Sequence, residues 1–308
     1  MHNRMGSDEP GWDLWRTFAA VLREGSLSAA ARRLGLTQPT AGRHIADLEK
    51  ALGTGGLFTR SPRGLRPTET ALALAPHAEA MSAAAAALVR SASASEDAVA
   101  GTVRISASEV VGAEVLPKIL TDLHIAHPGL TLEVVLSNAS SDLLRRDADL
   151  AVRMTEPKQQ ARLVQAVGQV PLGLYAHRDY LARAAALERA DDLARHAIIG
   201  FDRDTASLQT IKAIWPDLPP FTLRTDNHLA QIAMVRAGFG IGVMQRAIAM
   251  RTETLVPVLP DVFHADLPVW IAMHEDLRST RRMRIVFDAL VQGMAAHVRA
   301  GRNEPDRG

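Results

Sequence analysis

Cysteine is absent from the 308 residues of the chain, which excludes disulfide bonds, thiolate metal ligands and thiol redox switches. No uninterrupted apolar run reaches the roughly 18 residues that a transmembrane helix requires. The first residues, MHNRMGSDEPGWD, also lack the apolar segment of a signal peptide. These absences predict a cytoplasmic protein that is neither exported nor inserted in a membrane.

A large net charge is also missing, but the charges are unevenly placed. The chain has 35 Lys and Arg against 34 Asp and Glu, a balance that does not indicate a general polyanion binder. Residues 1–66 hold ten of the basic and only six of the acidic residues, which leaves 25 basic and 28 acidic residues in the remainder. A basic N-terminal head on a slightly acidic body is typical of a protein whose first domain binds nucleic acid.

Two short helical patterns meet across a tight turn within residues 26–52. In the first, Ser26 or Ser28 can cap the N-terminus, and Gly35 suits a left-handed C-terminal stop. Thr37 is then a suitable N-cap for the second helix. That helix carries an apolar stripe with spacings of four, three and four, formed by Ala41, Ile45, Leu48 and Leu52. The two patterns together predict a helix-turn-helix.

The face opposite this stripe carries Gln38, Thr40, Arg43 and His44. Short polar side chains beside an arginine at a helix N-terminus can bind phosphates and base edges in a major groove. Ordinary helical hairpins also present such a face to solvent, and helix-turn-helix patterns are short and degenerate. The flanking segments favour the DNA-binding interpretation.

A first helix and a hairpin flank the pair. Apolar side chains recur at helical spacing from Leu14 to Leu22, so a first helix is expected to pack beneath the other two. After the glycines that follow Leu52, the LFTR and GLR runs can pair around a turn at residues 61–63. This predicted wing would present a cationic edge to the DNA backbone through Arg60, Arg63 and Arg66. A solvated loop is the alternative.

Residues 67–92 predict a long, alanine-rich helix that follows the winged head of residues 1–66. Its apolar side chains repeat every seven residues, the period of a coiled-coil seam, at Leu74, Met81 and Leu88. Burial of this narrow stripe against a second copy of the chain predicts a dimer, whereas packing on its own head is the alternative. The polar residues 93–101 then predict a flexible linker.

Strand and helix patterns alternate from residue 102 to about residue 300. The alternation predicts an α/β fold with a parallel, wound sheet. The region is too long for one small sheet, so we expect two subdomains with a cleft between them: residues 102–161 with 266–300, and residues 162–265. In open wound sheets, ligands bind at the carboxyl ends of the strands.

Motifs of the common enzyme classes are missing from the sequence. There is no strand-turn-helix nucleophile elbow, no HExxH-type pair and no phosphate-binding glycine loop with a lysine. His124 and His127 could together bind a metal, but ahead of Pro128 they fit the end of a helix better. We therefore predict no enzymatic activity, no cofactor and no metal site.

The run from Trp15 to Ala71 resembles the winged helix-turn-helix of the LysR-type bacterial transcriptional regulators. The matching positions are Phe18, Gly25, Ser26, Ala30, Ala31, Leu34, Thr37, Gln38, Pro39, Arg43, Ile45, Leu48, Glu49, Leu52, Gly53, Leu57, Phe58, Arg60 and Thr68. The long helix resembles the dimerising linker helix of that family, and the α/β region resembles its effector domain of the periplasmic-binding-protein type II kind. One departure is Gly42, where family members commonly carry serine; glycine removes a hydroxyl and lowers helix propensity by up to ~1 kcal/mol.

The resemblance implies a cytoplasmic regulator that binds double-stranded promoter DNA as a homodimer or homotetramer and responds to a small molecule. Its DNA-binding residues would be Ser28, Arg32, Thr37, Gln38, Pro39, Thr40, Arg43, Lys50, Arg60, Arg63 and Arg66. Gln38 and Arg43 are expected to read bases, since glutamine can bond an adenine edge twice and arginine a guanine edge. Lys50 and Arg66 are expected to contact phosphates only. A contact with RNA polymerase is left open, and no membrane partner is expected.

Side chains at the ends of the predicted strands form the candidate effector site, and by resemblance these ends line the cleft. They are Ser106, Ser108, Ser137, Asn138, Arg153, Phe201, Thr205, Thr225 and Asn227. Ser106 and Ser108 lie where the first strand meets a helix, a place that favours anions, so a small carboxylate or amino-acid-like metabolite is the expected effector. In the alternative, Ser108 only caps that helix. Arg153 then pairs with Asp149 or Asp226.

A second hypothesis keeps the DNA-binding head but not the response to an effector. The chain would then only bind and bend DNA, and its cleft would be vestigial. A protein that binds small molecules alone is disfavoured, because the basic head and wing would have no role in it. The sequence leaves the vestigial alternative open.

Overall fold

The computed structural model describes residues 9–61, 64–92, 99–138, 148–156, 163–204, 206–215, 218–273, 277 and 280–302. The chain divides into two compact units, which we call the head, built from residues up to Val89, and the body, built mainly from residues after Arg90. No helix in the described part of the chain is long and apolar enough to cross a membrane.

The head consists of three short helices, a two-stranded hairpin and one long helix. Its elements are α1 (Trp12–Glu24), α2 (Leu27–Leu34), α3 (Gln38–Leu52), β1 (Phe58–Ser61), β2 (Gly64–Pro67) and α4 (Glu69–Ala92). The two strands pair antiparallel, with Thr59 opposite Arg66 and Arg60 opposite Leu65. The prediction of a winged helix-turn-helix followed by a long helix is confirmed.

Local signals start and end the helices of the head. The Ser26 Oγ accepts a hydrogen bond from the Ala29 N–H at 3.2 Å at the start of α2. The Thr37 Oγ1 accepts one from the Thr40 N–H at 3.3 Å at the start of α3. A glycine in the left-handed region follows each of the first three helices, at Gly25, Gly35 and Gly53. The caps that the sequence indicates therefore set the helix boundaries.

One hydrophobic cluster joins the helices of the head to the wing. Its buried members include Phe18, Val21, Ala30, Ile45, Leu48, Leu57, Ala71 and Ala78. The Phe18 ring lies 6.1 Å from the Trp15 ring in an edge-on arrangement and 5.7 Å from the Phe58 ring. Because β1 and α4 both contribute to this cluster, the wing and the first half of α4 pack on the helix-turn-helix.

The first part of the apolar stripe of α4 packs in the core of the head, and the second part is exposed to solvent. Ala71 and Ala78 are buried in the cluster of the head, and Leu74 packs against it. Met81 is 41% exposed and Leu88 is 69% exposed. Leu74 therefore packs on its own head, as in the alternative to the dimer seam. Only Met81 and Leu88 of the predicted seam require a partner from elsewhere.

Strands and helices alternate along the body. The strands are β3 (Gly101–Ala107), β4 (Leu130–Leu136), β5 (Leu150–Arg153), β6 (Leu163–His177), β7 (Ile199–Gly200), β8 (Leu223–Arg224), β9 (Gly242–Gln245), β10 (Leu255–Val258) and β11 (Ala265–Met273). The helices are α5 (Glu109–Glu114), α6 (Leu116–Ala126), α7 (Arg178–Arg183), α8 (Ala206–Ile214), α9 (His228–Arg236), α10 (Arg246–Ala249) and α11 (Arg281–Arg302), with a 3-10 turn at Ala190–Arg195. The sequence SDLLRR, residues 141–146, predicts a short helix, but these residues lie outside the described part of the chain.

A mixed sheet forms the centre of the body, rather than the wholly parallel sheet that the alternation predicts. Its strand order is β10-β6-β11-β5-β3-β4, and β9 also pairs with β6. The strand β3 is parallel to β4 and β5, but β6 and β11 are antiparallel. The chain enters one half of the body through β6 and returns through β11, so these two strands run in opposite directions.

One lobe lies on each side of β6 and β11, the two strands through which the chain passes from one half of the body to the other. The first lobe is β3, β4 and β5 with α5 and α6, and the second lobe is β7 to β10 with α7, α8 and α9. One hydrophobic cluster continues from Val103 in the first lobe to Val235 and Met244 in the second. A smaller cluster that contains Phe201 fills the second lobe. The strand ends that carry the candidate effector site belong to both lobes.

Two predicted helices are shorter than expected. The sequence pattern of residues 111–128 predicts one helix, but the structure breaks it at Val115 into α5 and α6, so that α5 has only 6 residues. The sequence pattern around Tyr180 to Leu187 also predicts a helix, but in the structure that helix ends at Arg183. The first break weakens the expectation that anions are favoured after Ser108, because a short helix sums few peptide dipoles.

Candidate functional site

The first turns of α3 form an exposed polar surface on the head. Gln38, Pro39 and Arg43 are exposed, and Thr40 is half-buried. The Thr37 Oγ1 lies 2.8 Å from the Thr40 Oγ1, so both hydroxyls serve the start of the helix. The residues expected to read bases therefore stand in solvent, on a helix whose opposite side is fixed in the core of the head.

The end of α2 and the end of α3 add further basic residues to the head. Arg32 is exposed in the last turn of α2, and Lys50 is exposed in the last turn of α3. Ser28, expected to face DNA directly, instead donates a hydrogen bond from its Oγ to the Gln38 Oε1 at 2.9 Å. The sequence pattern did not indicate this contact between two of the predicted site residues.

His44 does not belong to the DNA-facing set that the sequence pattern suggested. Its Nδ1 lies 2.8 Å from the Thr17 Oγ1, in α1. The Thr17 hydroxyl is buried and donates its hydrogen to the Asp13 carbonyl at 2.8 Å. Because a hydroxyl has only one hydrogen, the His44 Nδ1 must donate to Thr17, which fixes the tautomer of the neutral ring. His44 therefore ties α3 to α1.

The wing does not present its arginines on one edge, which corrects the sequence-based expectation. Arg60 is paired with Leu65, and Arg66 is paired with Thr59. Directly opposite residues of an antiparallel pair share a face, and neighbouring residues of a strand point to opposite faces. Arg60 and Arg66 are both exposed but project from opposite faces of the hairpin. Arg63 lies outside the described residues.

Backbone contacts hold the wing against the helices. The Leu65 N–H donates to the Gly25 carbonyl at 2.8 Å. Gly64 has a φ of +114°, and a Cβ at this position would lie 2.7 Å from the same carbonyl oxygen. At the other end of the wing, the Leu57 N–H donates to the Glu49 Oε1 at 2.7 Å. The position of the hairpin therefore depends on a glycine and on one carboxylate of α3.

In the body, β3 and β4 end side by side and bring three predicted residues together. The two strands pair in parallel register up to their last residues. The Ser137 N–H donates to the Ala107 carbonyl at 2.9 Å, one residue before Ser108. The Asn138 Oδ1 accepts a hydrogen bond from the Glu109 N–H at 3.1 Å, so the amide lies at the start of α5.

Ser108 carries a buried hydroxyl with unused hydrogen-bonding capacity. Its Oγ is buried and has no hydrogen-bond partner among the described residues. Ser108 occupies the N-cap position of α5, but its side chain does not cap the helix. The next residue, Glu109, also has a buried oxygen, Oε2, that lacks a partner within the described ranges. Buried polar atoms are normally paired, so this pair of atoms is suited to a ligand or a water molecule.

Ser106 and Arg153 are bonded to each other. Both residues are buried, and the Arg153 Nη2 donates to the Ser106 Oγ at 2.7 Å. The Arg153 Nη1 also lies 3.2 Å from the Val152 carbonyl. The guanidinium is therefore held on the face of the sheet to which Ser106 points.

Asp226, one of the two aspartates named in the alternative for Arg153, is paired with a different arginine, and Asp149 also bonds to the backbone. The Arg203 Nε lies 2.6 Å from the Asp226 Oδ2, and the hydrogen bonds from Arg203 lower the pKa of the Asp226 carboxyl. The Asp149 Oδ2 accepts a hydrogen bond from the Arg104 N–H at 2.8 Å. Asp226 therefore has its own cation, and Asp149 is used in part to join β3 to the start of β5.

The predicted residues of the second lobe gather around the start of α9. The Phe201 ring meets the His228 ring edge-on, with 5.7 Å between the ring centroids. The Thr225 Oγ1 accepts from the Asn227 N–H at 3.2 Å. The Asn227 Oδ1 accepts from the Ala230 N–H at 2.8 Å and caps α9. Asn227 therefore has a structural role that its position in the sequence did not reveal.

A direct contact joins the two lobes at this place. The Asn138 Nδ2 lies 3.2 Å from the His228 Nδ1. Because the Asn138 Oδ1 already accepts from Glu109, the Asn138 amino group donates and Nδ1 accepts. Burial lowers the pKa of His228, against the opposing effect of Glu109 and Asp226. The neutral ring is the form that suits this contact.

The structure therefore brings most of the predicted effector residues into one group. Ser108, Ser137 and Asn138 of the first lobe meet Phe201, Thr225 and Asn227 of the second through the contact between Asn138 and His228. Ser106 and Arg153 form a pair of their own, and Thr205 lies outside the described residues. Glu109 and His228 carry no sequence motif that marks them as site residues, and His228 meets Asn138 only because the fold joins residues 90 positions apart.

Both units match known protein families. The LysR substrate binding domain matches residues 96–295, which is more than half of the chain. The bacterial regulatory helix-turn-helix protein of the lysR family matches residues 12–72. The chain belongs to the LysR family. This LysR-type protein is a DNA-binding transcriptional regulator with an effector-binding domain, and not an enzyme.

The regulator is similar in sequence to several bacterial transcription factors. It is 32% identical over 167 residues to the Mau operon transcriptional activator of Paracoccus denitrificans, an alignment that covers 54% of this chain and 58% of the activator. The chain thus spans little more than half the length of that relative. It is 24% identical over 300 residues to the probable regulator LtrA of Klebsiella pneumoniae, which covers 94% of this chain and 96% of LtrA.

Solved structures of LysR-type regulators share the fold of this chain. CrgA of Neisseria meningitidis aligns with a TM-score of 0.57 at 20% identity, over 92% of this chain and 99% of CrgA. The virulence activator AphB of Vibrio cholerae aligns with a TM-score of 0.60 at 18% identity, over 92% of this chain and 99% of AphB. The order of head, long helix and α/β body is therefore that of full-length family members.

Proposed function

We propose that this LysR-type regulator binds double-stranded promoter DNA through α3 as a homodimer or homotetramer, and that a small carboxylate bound in the body changes its action. The exposure of Gln38 and Arg43 on the first turns of α3 supports the DNA-binding part. Both side chains are unburied, while the apolar stripe of the same helix is fixed in the core of the head. Base reading is assigned to these two residues.

The remaining residues of the proposed DNA surface position the head on the duplex. They are Ser28, Arg32, Thr37, Pro39, Thr40, Lys50, Arg60, Arg63 and Arg66. Arg60 and Arg66 project from opposite faces of the wing, so one face of the hairpin can bring only one of them to the backbone. Each phosphate that is neutralised releases counterions, so affinity should fall steeply as salt is raised.

Substitution of Arg43 tests the assignment of the recognition helix. Fluorescence anisotropy with a duplex selected from a randomised library should show about tenfold or greater loss of affinity for Arg43→Ala, with loss of preference at one base pair. Arg195→Ala, which removes an exposed arginine of the body, is the matched control and should leave binding unchanged. Unchanged affinity and preference in Arg43→Ala would show that α3 does not read DNA through this residue.

The buried Ser108 hydroxyl, which has no partner among the described residues, carries the effector part of the proposal. Ser108, Ser137, Asn138, Phe201, Thr225 and Asn227 are the proposed wall of the site, with Ser106, Arg153 and Thr205 added from the strand ends. The Arg153 guanidinium is the proposed source of positive charge for a carboxylate. The buried Glu109 oxygen suits an N–H donor, so an amino-acid-like metabolite with both charges fits better than a simple acid.

A melting-temperature screen tests this part and separates it from the vestigial alternative. A ligand that binds only the folded state raises the melting temperature in proportion to RT ln(1 + [L]/Kd). A library of small carboxylates and amino acids should contain at least one compound that raises the melting temperature of the unmodified protein but not of Ser108→Ala. If no compound does so, the regulator that only binds and bends DNA becomes the better hypothesis.

Self-association is proposed from the exposed apolar residues of α4. Met81, Leu88 and Val89 are exposed on the second half of this helix, and contiguous exposed apolar side chains favour a protein partner. A second copy of the helix is the simplest such partner.

We also propose that the promoter-bound regulator contacts RNA polymerase, which co-purification with polymerase on promoter DNA would test.

A further inference from the structure

The hydrogen bond between Ser28 and Gln38 links the two helices of the helix-turn-helix through their polar side chains. Ser28 is half-buried in the first turn of α2, and Gln38 is the exposed first residue of α3. The turn between the helices brings these residues, 10 positions apart, to an Oγ to Oε1 distance of 2.9 Å. The side chain to which base reading is assigned is therefore not free to rotate at random.

The direction of this hydrogen bond decides which groups of Gln38 remain available. The serine hydroxyl has one hydrogen, and it donates this hydrogen to the carbonyl oxygen of the amide. An amide oxygen can accept two hydrogen bonds, and the amide nitrogen can donate two. One acceptor site on Oε1 and both N–H groups of Nε2 are thus left for DNA.

These remaining groups are the ones that an adenine edge requires. A glutamine that reads adenine accepts from N6–H through its oxygen and donates to N7 through its nitrogen. An amide flipped by half a turn would place nitrogen against the N6 amino group and oxygen against N7, and both contacts would be lost. Fixing the amide also removes part of the entropy cost of ordering a long exposed side chain on binding.

We propose that Ser28 is a positioning residue that sets the orientation of the Gln38 amide and thereby the base preference at one position of the operator. This inference rests on the proposed base-reading role of Gln38. It replaces the expectation that Ser28 contacts DNA directly, because the Ser28 hydroxyl hydrogen is already directed to Gln38. Ser28 then contributes to specificity rather than to affinity for DNA in general.

The two roles of Ser28 differ in what its loss should change. Loss of a phosphate contact weakens binding to all sequences alike, and because a serine hydroxyl carries no charge, the slope of log affinity against log salt stays nearly the same. Loss of a positioning contact changes the ratio of affinities at one base pair and leaves the salt slope unchanged. A merely structural role would lower the melting temperature of the protein and alter both quantities together.

The test uses the full chain and duplex DNA selected from a randomised library by the unmodified protein. Affinities for the selected duplex and for all its single base-pair substitutions are measured for Ser28→Ala, Ser28→Thr, Gln38→Ala and the double variant Ser28→Ala with Gln38→Ala. Gln38→Ala identifies the base pair that Gln38 reads. Ser28→Ala should reduce discrimination at that same base pair by about three- to tenfold, with other positions and the salt slope unchanged.

Rescue and non-additivity complete the test. Ser28→Thr keeps the hydroxyl and should restore discrimination, and Ser28→Ala should have no further effect once Gln38 is alanine. The inference is overturned if Ser28→Ala weakens all duplexes equally, or if it leaves discrimination at the Gln38 position intact. If Gln38→Ala itself changes no preference, the base-reading role in the proposed function is wrong, and the inference is overturned with it.

Discussion

Arg236, the last residue of α9, donates two parallel hydrogen bonds to the carboxylate of Glu114, the last residue of α5. The Nη1 to Oε1 distance is 2.7 Å and the Nη2 to Oε2 distance is 2.8 Å. The pair joins the first lobe to the second, 122 positions apart in sequence. The hydrogen bonds and charge of Arg236 lower the pKa of Glu114. The carboxylate is therefore ionised at neutral pH and ties the two lobes together.

Replacement of Glu114 by glutamine should loosen this tie. The Glu114 side chain is only 19% exposed and that of Arg236 is 34% exposed, so the pair is partly shielded from solvent. We expect Glu114→Gln to lower the free energy of unfolding by about 1–2 kcal/mol, between the values of exposed and buried ion pairs. Because the folded-state pKa is lowered, the same stability should be lost in the unmodified protein as pH falls through that pKa.

An exposed ion pair provides the matched control for Glu114. Lys118 and Asp122 form an i,i+4 pair on α6, with side chains 81% and 59% exposed. Asp122→Asn should change the free energy of unfolding by less than about 0.5 kcal/mol. Urea unfolding of both variants at pH 7 measures the difference, and equal effects would show that the pair between the lobes has no special strength.

His297 of α11 should make the body less stable in mild acid. Its Nε2 lies 2.8 Å from the Gln245 Oε1, and its Nδ1 faces the Arg251 guanidinium at 3.4 Å. Burial and the charge of Arg251 lower the pKa of His297 from 6.5 to about 4. Below pH 6.5 the unfolded chain therefore binds a proton that the folded chain does not, and stability should fall by on the order of 2 kcal/mol between pH 6.5 and 4.

Substitution of His297 by glutamine tests this pH dependence. Glutamine remains neutral and keeps an N–H for Gln245. Urea unfolding at a series of pH values should show a smaller decline between pH 6.5 and 4 for His297→Gln than for the unmodified protein. His124→Gln, at an exposed position of α6, is the control and should leave the profile unchanged. Identical profiles for all three proteins would exclude His297 as the source.

Replacement of Gly64 by a residue with a Cβ should disrupt the wing. An alanine there would have to adopt a φ of +114° and place its Cβ 2.7 Å from the Gly25 carbonyl oxygen, which accepts the Leu65 N–H. We expect Gly64→Ala to destabilise the head by about 1–3 kcal/mol and to weaken DNA binding. Thermal unfolding and anisotropy measure the two effects.

Gly42 provides the contrasting position. It lies inside α3, and a Cβ there would be 3.8 Å from its nearest neighbour, the Leu27 Cδ1. Gly42→Ala should therefore stabilise the head by up to about 1 kcal/mol, because glycine is a poor helix former. If Gly64→Ala were as stable as the unmodified protein, the steric account of Gly64 would be wrong.

Met81 should contribute to self-association through α4. Met81→Glu places a charge on the exposed apolar part of the helix and, in a dimer, sets two charges close together. Sedimentation velocity should then show a shift from dimer toward monomer. Glu79, also exposed, lies about 160° around the helix from Met81, so Glu79→Lys is the control and should leave assembly intact. Unchanged assembly in Met81→Glu would exclude the proposed contact.

Ser108→Ala should separate effector binding from stability. The Ser108 hydroxyl has no partner in the described part of the chain, so its removal should leave the melting temperature of the free protein unchanged or slightly raised. A lost hydrogen bond to a charged ligand should weaken binding of the effector found by screening about ten- to a hundredfold. Calorimetry measures that affinity, and anisotropy should show normal DNA binding without effector. If both Ser108→Ala and Arg153→Ala bound the effector as tightly as the unmodified protein does, the ligand would bind elsewhere.

The sequence by itself determined the helix-turn-helix, because its signals act over a few residues. Ser26 and Thr37 cap helices by bonding N–H groups three residues ahead, and Gly35 ends a helix through its own backbone conformation. The stripe of Ala41, Ile45 and Leu48 is buried as its spacing predicts. Such signals depend on neighbouring positions alone, so they can be read without knowledge of the fold.

Only the tertiary structure decided which predicted site residues meet and what they bond to. His44 forms a hydrogen bond with Thr17 instead of facing DNA, and Ser28 forms one with Gln38. Strand register placed Arg60 and Arg66 on opposite faces of the wing. These outcomes depend on how the elements pack, because a side chain selects its partner among groups brought close by the fold rather than among its neighbours in sequence.

The body shows the same division over longer distances. The alternation of strands and helices predicted an α/β fold, but the antiparallel course of β6 and β11 followed from the passage of the chain between the lobes. The sequence located Ser108 and Asn138 at strand ends. The contact of Asn138 with His228, and the pair of Glu114 with Arg236, join residues 90 and 122 positions apart. No local pattern specifies such contacts, since they form only when the packed core of the two lobes brings α5 and α9 together.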